Sequence, residues 1–167
     1  MKKAVFAGTF DPISDYEYRL LYAFADAFEE LVLVVEDDPN ALLLPGERVQ
    51  FLRQLTAGMS NVEVESASNG VLYCREKEIP VLIRGLHSAD ECQKRLDSFR
   101  KERSSYPRLD TLLAAADSGS YYSSSAALQS SIPSLSSETV LPESFRQKVD
   151  ECRQEHRFFN RLLAEIL

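Results

Sequence analysis

The sequence predicts a doubly wound α/β fold, in which a parallel sheet of five strands carries helices on both faces. Short aliphatic runs alternate with segments of helical periodicity, which is the pattern of strand-helix-strand crossover units. A length of 167 residues suits a single domain over residues 1–167. Because ligands of such folds bind beyond the carboxyl ends of the strands, functional residues are expected at those ends.

Five segments are predicted to be strands of this sheet. Each is a short apolar run that ends in a turn or polar residue, as buried parallel strands do. They are KAVFAG (residues 3–8), LVLVVE (31–36), NVEVES (61–66), VLIRG (81–85) and TLLAAAD (111–117).

Helices are predicted between these strands. The first begins after Ser14, which can form a capping box with Glu17 three residues later. The second begins at Pro45 and ends near Gly58. The third is a highly charged segment over residues 88–103.

The C-terminal part of the chain departs from this alternation. A serine-rich stretch with interspersed apolar residues follows the fifth strand and predicts a short helix and then a loop. An amphipathic pattern over about residues 143–167 predicts a C-terminal helical extension. Its aromatic residues Phe158 and Phe159 face either the parent domain or a partner subunit.

Composition excludes several classes of protein. A net charge of -7 argues against a non-specific nucleic-acid binder, because such proteins neutralise phosphates with basic side chains. The first apolar run is too short for a signal peptide or a membrane span, so no membrane partner is expected. Cys74, Cys92 and Cys152 lack metal-ligand spacing, which predicts neither a zinc site nor a disulfide framework and favours a reducing cytoplasm.

Three segments at predicted strand ends carry residues that suit an anionic ligand. GTFDP at residues 8–12 precedes a helix N-terminus and permits close backbone approach, or is simply a tight turn. Arg84 can clamp a phosphate beside Gly85, with an ordinary salt bridge as the alternative. The serines at residues 123–125 offer hydroxyl and N–H groups to phosphate, or cap a helix. The glycine fingerprint of dinucleotide-binding proteins is absent, which disfavours an NAD-dependent dehydrogenase.

In their order and spacing these segments resemble one family, the bacterial phosphopantetheine adenylyltransferases of the nucleotidylyltransferase superfamily. The matching stretches cover nearly the whole chain, namely GTFDPI, PGERVQFL, NVEV, VLIRGL, SSS and LPES. The resemblance implies a Rossmann-like domain, generally assembled as a hexamer. It also implies transfer of AMP from Mg-ATP to 4'-phosphopantetheine, which yields dephospho-coenzyme A and pyrophosphate.

The resemblance also assigns roles to particular residues. Those expected to bind nucleotide or phosphate are Thr9, Phe10, Gly85, His87, Ser123, Ser124 and Ser125. Those expected to bind the acceptor are Thr9, Arg84, Val71 and Leu72, the last two in a loop at residues 70–72 that lines the pantetheine arm. Glu17 and Arg84 occupy the catalytic positions. Mg²⁺ is expected only with ATP, and no metal site is expected in the protein itself.

Several positions depart from the family pattern, and most departures remove a cation or a donor. The family has a Gly-His pair whose histidine stabilises the α-phosphate in the transition state, and Tyr16 and Glu17 stand there instead. A lysine that grips the acceptor phosphate is missing from residues 40–44, and His87 replaces a second arginine. A carboxylate has the wrong sign for stabilising negative charge that develops at phosphorus.

Together the departures predict a homologue with impaired or lost transfer activity, which binds a nucleotide or coenzyme A or serves in assembly. Asp37 and Asp38 add negative charge at a strand end, which also favours impaired transfer. Two alternatives remain open, namely a working enzyme of coenzyme A synthesis with replaced cations, and a nucleotidylyltransferase for another phosphorylated acceptor. Glu17 also has a structural explanation, since it is the second half of the predicted capping box.

Overall fold

The computed structural model of the protein describes residues 2–86 and 89–115, without the side chains of Asp15 and Ala89. Four sequence predictions lie outside the described residues. They concern His87, the short helix and loop of the serine-rich stretch, the phosphate role of the serines at residues 123–125, and the C-terminal helical extension at residues 143–167. What is described is the alternating α/β part of the chain.

Strands and helices alternate strictly along the described part. They are β1 (Lys3–Gly8), α1 (Asp15–Ala27), β2 (Glu30–Glu36), α2 (Pro45–Leu55), β3 (Val62–Ala67), α3 (Gly70–Glu76), β4 (Val81–Leu86), α4 (Ala89–Ser105) and β5 (Asp110–Ala115). All neighbouring strands pair in parallel, in the order β3-β2-β1-β4-β5. The prediction of a Rossmann-like, doubly wound, five-stranded parallel sheet is therefore confirmed.

The order of the strands reverses at β1, in the centre of the sheet. The chain runs outward from β1 through β2 to β3, and then crosses back to place β4 and β5 on the other side of β1. At such a switch point the loops that follow the two central strands diverge and leave a crevice. The carboxyl ends of β1 and β4 are therefore where a ligand is expected.

Alternating side chains of the strands build one apolar layer on each face of the sheet. Phe6 and Ile83 point to the layer that contains Leu21 of α1 and also packs against α2. Val5 points to the other layer, which contains Cys74 of α3. No helix within residues 2–86 and 89–115 is long and apolar enough to cross a membrane.

The structure corrects the sequence analysis at residues 70–72, where it has the first turn of α3 in place of a loop. The side chain of Asn69 caps this helix by accepting the N–H groups of Val71 and Leu72, at 2.8 and 3.4 Å. A helix of seven residues that begins with glycine has a weak local signal, because short helices are marginal on their own. Packing of Val71 and Cys74 against the sheet supplies the stability that local propensity lacks.

Gly70 is required where α3 approaches the sheet. A Cβ at this position would lie 2.6 Å from the Cβ of Ala7 and 3.1 Å from the Oε1 atom of Glu36. We expect Gly70→Ala to lower the free energy of unfolding by about 1–3 kcal/mol, because backbone has to move to relieve the overlap. Urea denaturation measures the change.

Gly46→Ala is the matched control on α2. Nothing lies within 4 Å of a Cβ built at Gly46, so this change should leave stability unchanged or raise it by up to about 1 kcal/mol. Equal effects of the two substitutions would contradict the close approach of α3 to β1.

Candidate functional site

The loop after β1 is shaped by the aromatic ring of Phe10. This residue adopts a φ of 49°, which is uncommon for a side chain other than glycine. Its ring is buried and meets Phe6 edge to face, with 5.3 Å between the ring centroids. A Cβ on Gly8 would lie only 3.2 Å from the Phe10 ring, which explains the glycine. The ring of Phe10 thus belongs to the core, and the expected contact of its backbone with a nucleotide stays a prediction.

Asp11 ties the loop after β1 to the loop after β2. Its carboxylate is fully buried and accepts the N–H of Leu42 at 2.6 Å and the N–H of Leu43 at 2.9 Å. These two leucines lie in the segment at residues 40–44 that lacks the family's lysine. The segment is therefore held by its backbone against Asp11, a contact that the sequence analysis missed.

Arg48 joins the same loops from α2, with a side chain that is 1% exposed. Its Nε donates to the carbonyl of Leu43 at 3.1 Å, and its Nη1 donates to the carbonyls of Thr9 and Glu36 at 2.6 and 3.0 Å. Its Nη2 finds no partner among the described residues. The sequence analysis also missed Arg48. Its position near the start of α2 was a usable signal in the sequence. A cation near a helix N-terminus is unfavourable with respect to the helix dipole, so its presence there indicates specific acceptor groups.

Arg84 forms a buried ion pair with Glu36 at the end of β2. Its Nη1 lies 2.7 Å from Oε2 of Glu36 and its Nη2 lies 2.9 Å from Oε1, which makes the contact bidentate. The N–H of Gly70 donates to the same Oε1 at 2.7 Å. The ion pair is the alternative to a phosphate clamp that the sequence leaves open, and the phosphate role of Arg84 stays a prediction.

Both partners of this pair are charged at neutral pH. Burial by itself raises the pKa of Glu36, but the bonds from Arg84 and Gly70 outweigh it and hold that pKa below its ordinary value. Burial lowers the pKa of Arg84, yet the carboxylate of Glu36 raises it overall. Arg95 on α4 adds a weaker attraction to Glu36 and itself pairs with Glu91 at 3.6 Å.

Glu17 completes the capping box that the sequence predicts. Its Oε2 accepts the N–H and the hydroxyl of Ser14 at 2.8 and 2.7 Å, and the Ser14 oxygen accepts the N–H of Glu17 at 3.3 Å. Glu17 is 7% exposed. The structural explanation of Glu17 is therefore confirmed, whereas its catalytic role stays a prediction.

Tyr16 lies across the ends of β4 and β5, beside the crevice. A Cβ on Gly85 would lie 3.5 Å from Cε1 of Tyr16, and the Tyr16 hydroxyl donates to the carbonyl of Ala114. Burial raises the pKa of Tyr16, against a smaller opposing effect of the Leu86 N–H, so the phenol stays protonated at neutral pH. Gly85, which is expected beside a nucleotide, thus has an aromatic ring against it.

The structure brings several predicted residues to one edge of the sheet. Thr9 is half-buried at the end of β1, and its carbonyl is linked through Arg48 to the end of β2. Val71 is a buried residue of the first turn of α3, whereas Leu72 next to it is 37% exposed. Within the described ranges, no cluster of three or more His, Cys, Asp or Glu side chains could hold a metal ion.

Sequence comparisons relate this chain to known proteins. The phosphopantetheine adenylyltransferase of Shouchella clausii is 35% identical over 132 residues, which are 75% of this chain and 81% of the relative. That of Hamiltonella defensa is 30% identical over 128 residues, 74% of this chain and 81% of the relative. That of Cyanothece sp. is 32% identical over 127 residues, 73% and 75% of the two chains. No family model matches the chain.

A solved structure confirms the fold independently. The crystal structure from Vibrio parahaemolyticus assigned as a nicotinate-nucleotide adenylyltransferase superposes with a TM-score of 0.58 and 17% identity, over 93% of each chain. That level of identity supports the architecture alone. The classification rests on the three sequence relatives, each at least 30% identical over about three quarters of this chain. This chain therefore belongs to the phosphopantetheine adenylyltransferase family.

Proposed function

We propose that this protein is a phosphopantetheine adenylyltransferase homologue in which adenylyl transfer is impaired or lost. One observation carries the proposal. Both terminal nitrogens of Arg84, the residue that the resemblance assigns to phosphate, are bonded to the carboxylate of Glu36. Phosphoryl and nucleotidyl transfer depend on positioning and on positive charge aimed at the reacting phosphates. Here the charge of Arg84 is neutralised within the protein before any ligand arrives.

The start of α1 supports the same proposal. Glu17 replaces the family's histidine, and its Oε2 accepts two hydrogen bonds from Ser14, so a hydrogen-bond acceptor stands where the family has an N–H donor. At an effective dielectric constant of about 20, like charges about 4 Å apart repel by about 4 kcal/mol. Since about 1.4 kcal/mol is a tenfold change in rate, an ionised Glu17 about 4 Å from a bound phosphate would slow transfer by roughly a thousandfold.

The ligands proposed for the crevice are those of the family. They are ATP, with Mg²⁺ as part of the substrate complex, and 4'-phosphopantetheine or coenzyme A. The backbone of Thr9 and the half-buried end of β1 lie at the switch point where such ligands bind. A homo-oligomeric assembly, as in the family, is part of the proposal.

Pyrophosphate release from Mg-ATP and 4'-phosphopantetheine tests the proposal. We expect the folded wild-type protein to turn over at about 10⁻³ s⁻¹ or more slowly, at least about a thousandfold below the low end of ordinary enzyme rates at about 1 s⁻¹. Wild-type turnover at about 1 s⁻¹ or faster would overturn the proposal and identify a working enzyme. Pyrophosphate release that requires a different phosphorylated acceptor would instead support the alternative of a nucleotidylyltransferase for that acceptor.

A double variant locates the defect. Tyr16→Gly combined with Glu17→His restores the family's residues at the start of α1 and removes the ring that lies against Gly85. A gain in pyrophosphate release by this variant would place the defect at these two positions. Reactions without acceptor are the blank, and circular dichroism shows whether α1 has kept its fold after loss of the capping box.

A further inference from the structure

The carboxylate of Glu36 occupies a small cradle of N–H donors. It receives both terminal nitrogens of Arg84 and the backbone N–H of Gly70, all within 2.7–2.9 Å. A planar guanidinium and a backbone N–H are donors that recognise phosphate as well as carboxylate. The absence of a side chain on Gly70 is what allows this approach, since a Cβ there would lie 3.1 Å from the carboxylate oxygen.

This cradle lies at the switch point of the sheet. Glu36 ends β2 and Arg84 lies near the end of β4, and β1 runs between these strands. The side chain of Glu36 is 15% exposed, whereas that of Arg84 is 3% exposed. Glu36 is therefore the partner nearer to solvent, and Arg84 lies beneath it.

Removal of the carboxylate would leave Arg84 as a buried cation without its counter-ion. Such a charge is strongly unfavourable unless another anion replaces the lost one. Arg95 on α4 adds only a weak attraction to this position because it is itself paired with Glu91 at 3.6 Å, and the carboxylate of Glu102 also acts on Arg84. An anion that enters the cradle would thus be held mainly by Arg84 and by the N–H of Gly70.

We propose that Glu36 determines the ligand specificity of this cleft by filling the anion position of Arg84. The wild-type cradle then excludes phosphate groups, so the phosphate of 4'-phosphopantetheine or coenzyme A has to lie outside it, and ligands that present no phosphate to β4 are favoured. Substitution of Glu36 converts the cradle into a phosphate site. The inference rests on the proposed function in one respect, because it concerns the end of the cleft that would receive the acceptor.

Thermal unfolding of the full chain with inorganic phosphate or formate tests this inference. In Glu36→Ala, each anion should raise the melting temperature in a saturable way, relative to chloride at equal ionic strength, because a ligand that binds only the folded state stabilises it. The wild-type protein should show no such rise. Calorimetric titration should give a phosphate Kd at least about tenfold lower for Glu36→Ala than for wild type.

Glu30→Ala is the matched control on the same strand. Glu30 is 42% exposed and pairs with Lys3 at 2.9 Å at the opposite end of β2, so loss of its carboxylate opens no buried cradle. This variant should respond to phosphate as wild type does. Adding Arg84→Met to Glu36→Ala should abolish the phosphate effect, which assigns the bound anion to Arg84.

Glu36→Ser serves if Glu36→Ala does not fold, since it also vacates the cradle and keeps a small hydroxyl that can accept an N–H bond. Phosphate binding that is equal in wild type and the folded variant overturns the inference, as does phosphate binding that survives loss of Arg84. These readouts contain no ATP and no turnover. Wild-type pyrophosphate release would therefore overturn the proposed function alone, whereas failure of phosphate to bind the Glu36 variants would overturn this inference alone.

Discussion

Replacement of Arg84 by methionine is expected to lower the free energy of unfolding by about 3–5 kcal/mol, because removal of one partner from a buried ion pair leaves the other charge uncompensated. The remaining carboxylate of Glu36 would keep only the N–H of Gly70 among the three donors that it has in the structure. Methionine preserves most of the volume of the arginine side chain. The loss therefore reports on charge and hydrogen bonding more than on a cavity.

A double-mutant cycle separates the pair from the packing around it. Arg84→Met combined with Glu36→Gln removes both charges and should recover at least about 2 kcal/mol of the loss, because residues that contact each other are energetically coupled. Urea denaturation of the four proteins gives the coupling free energy. A cost of less than about 1 kcal/mol for Arg84→Met would mean that the contact behaves as a surface salt bridge.

Arg48→Met is the second change with a large expected effect. Its guanidinium donates to the carbonyls of Leu43, Thr9 and Glu36, and the side chain is almost completely buried. Each buried acceptor that loses its partner costs about 1–3 kcal/mol, so we expect a total loss of at least about 3 kcal/mol. Since these carbonyls belong to the loops after β1 and β2, the loss also loosens the edge of the sheet that would bind a ligand.

Arg53→Met is the matched control on the same helix. Arg53 is exposed and donates to the carbonyl of Val64 at 3.0 Å, so its replacement should cost about 1 kcal/mol or less. The stability loss of Arg48→Lys should lie between those of Arg48→Met and Arg53→Met, because an ammonium group keeps the charge but cannot reproduce the forked donors of the guanidinium. Equal losses of unfolding free energy in Arg48→Met and Arg53→Met would show that the buried contacts of Arg48 stabilise the fold no more than an exposed arginine does.

The strands and most helices of this fold are predictable from the sequence because their signals are local. Apolar runs bounded by turn residues mark each strand of the sheet, and the pair Ser14 and Glu17 marks the start of α1. The helix α3 shows where local signals fail. It has seven residues and begins with glycine, so its stability comes from packing on the sheet, which no pattern within the segment reveals.

The candidate site is less predictable than the fold, and Arg84 shows why. Its position at the end of a buried strand suits both a phosphate clamp and an ion pair, and the sequence does not choose between them. The ion pair depends on Glu36, which lies 48 residues away from Arg84 in the chain. In the sequence it is only the polar residue that ends an apolar run.

By itself, the sequence determined that this chain folds as a doubly wound α/β unit and that it belongs to the phosphopantetheine adenylyltransferase family. Both conclusions depend on patterns and motifs that are read along the chain. Only the tertiary structure decided that Arg84 is bonded to Glu36 and that Tyr16 reaches Ala114, 98 residues away. The physical reason is that such contacts depend on which strands are neighbours and in which register they pair.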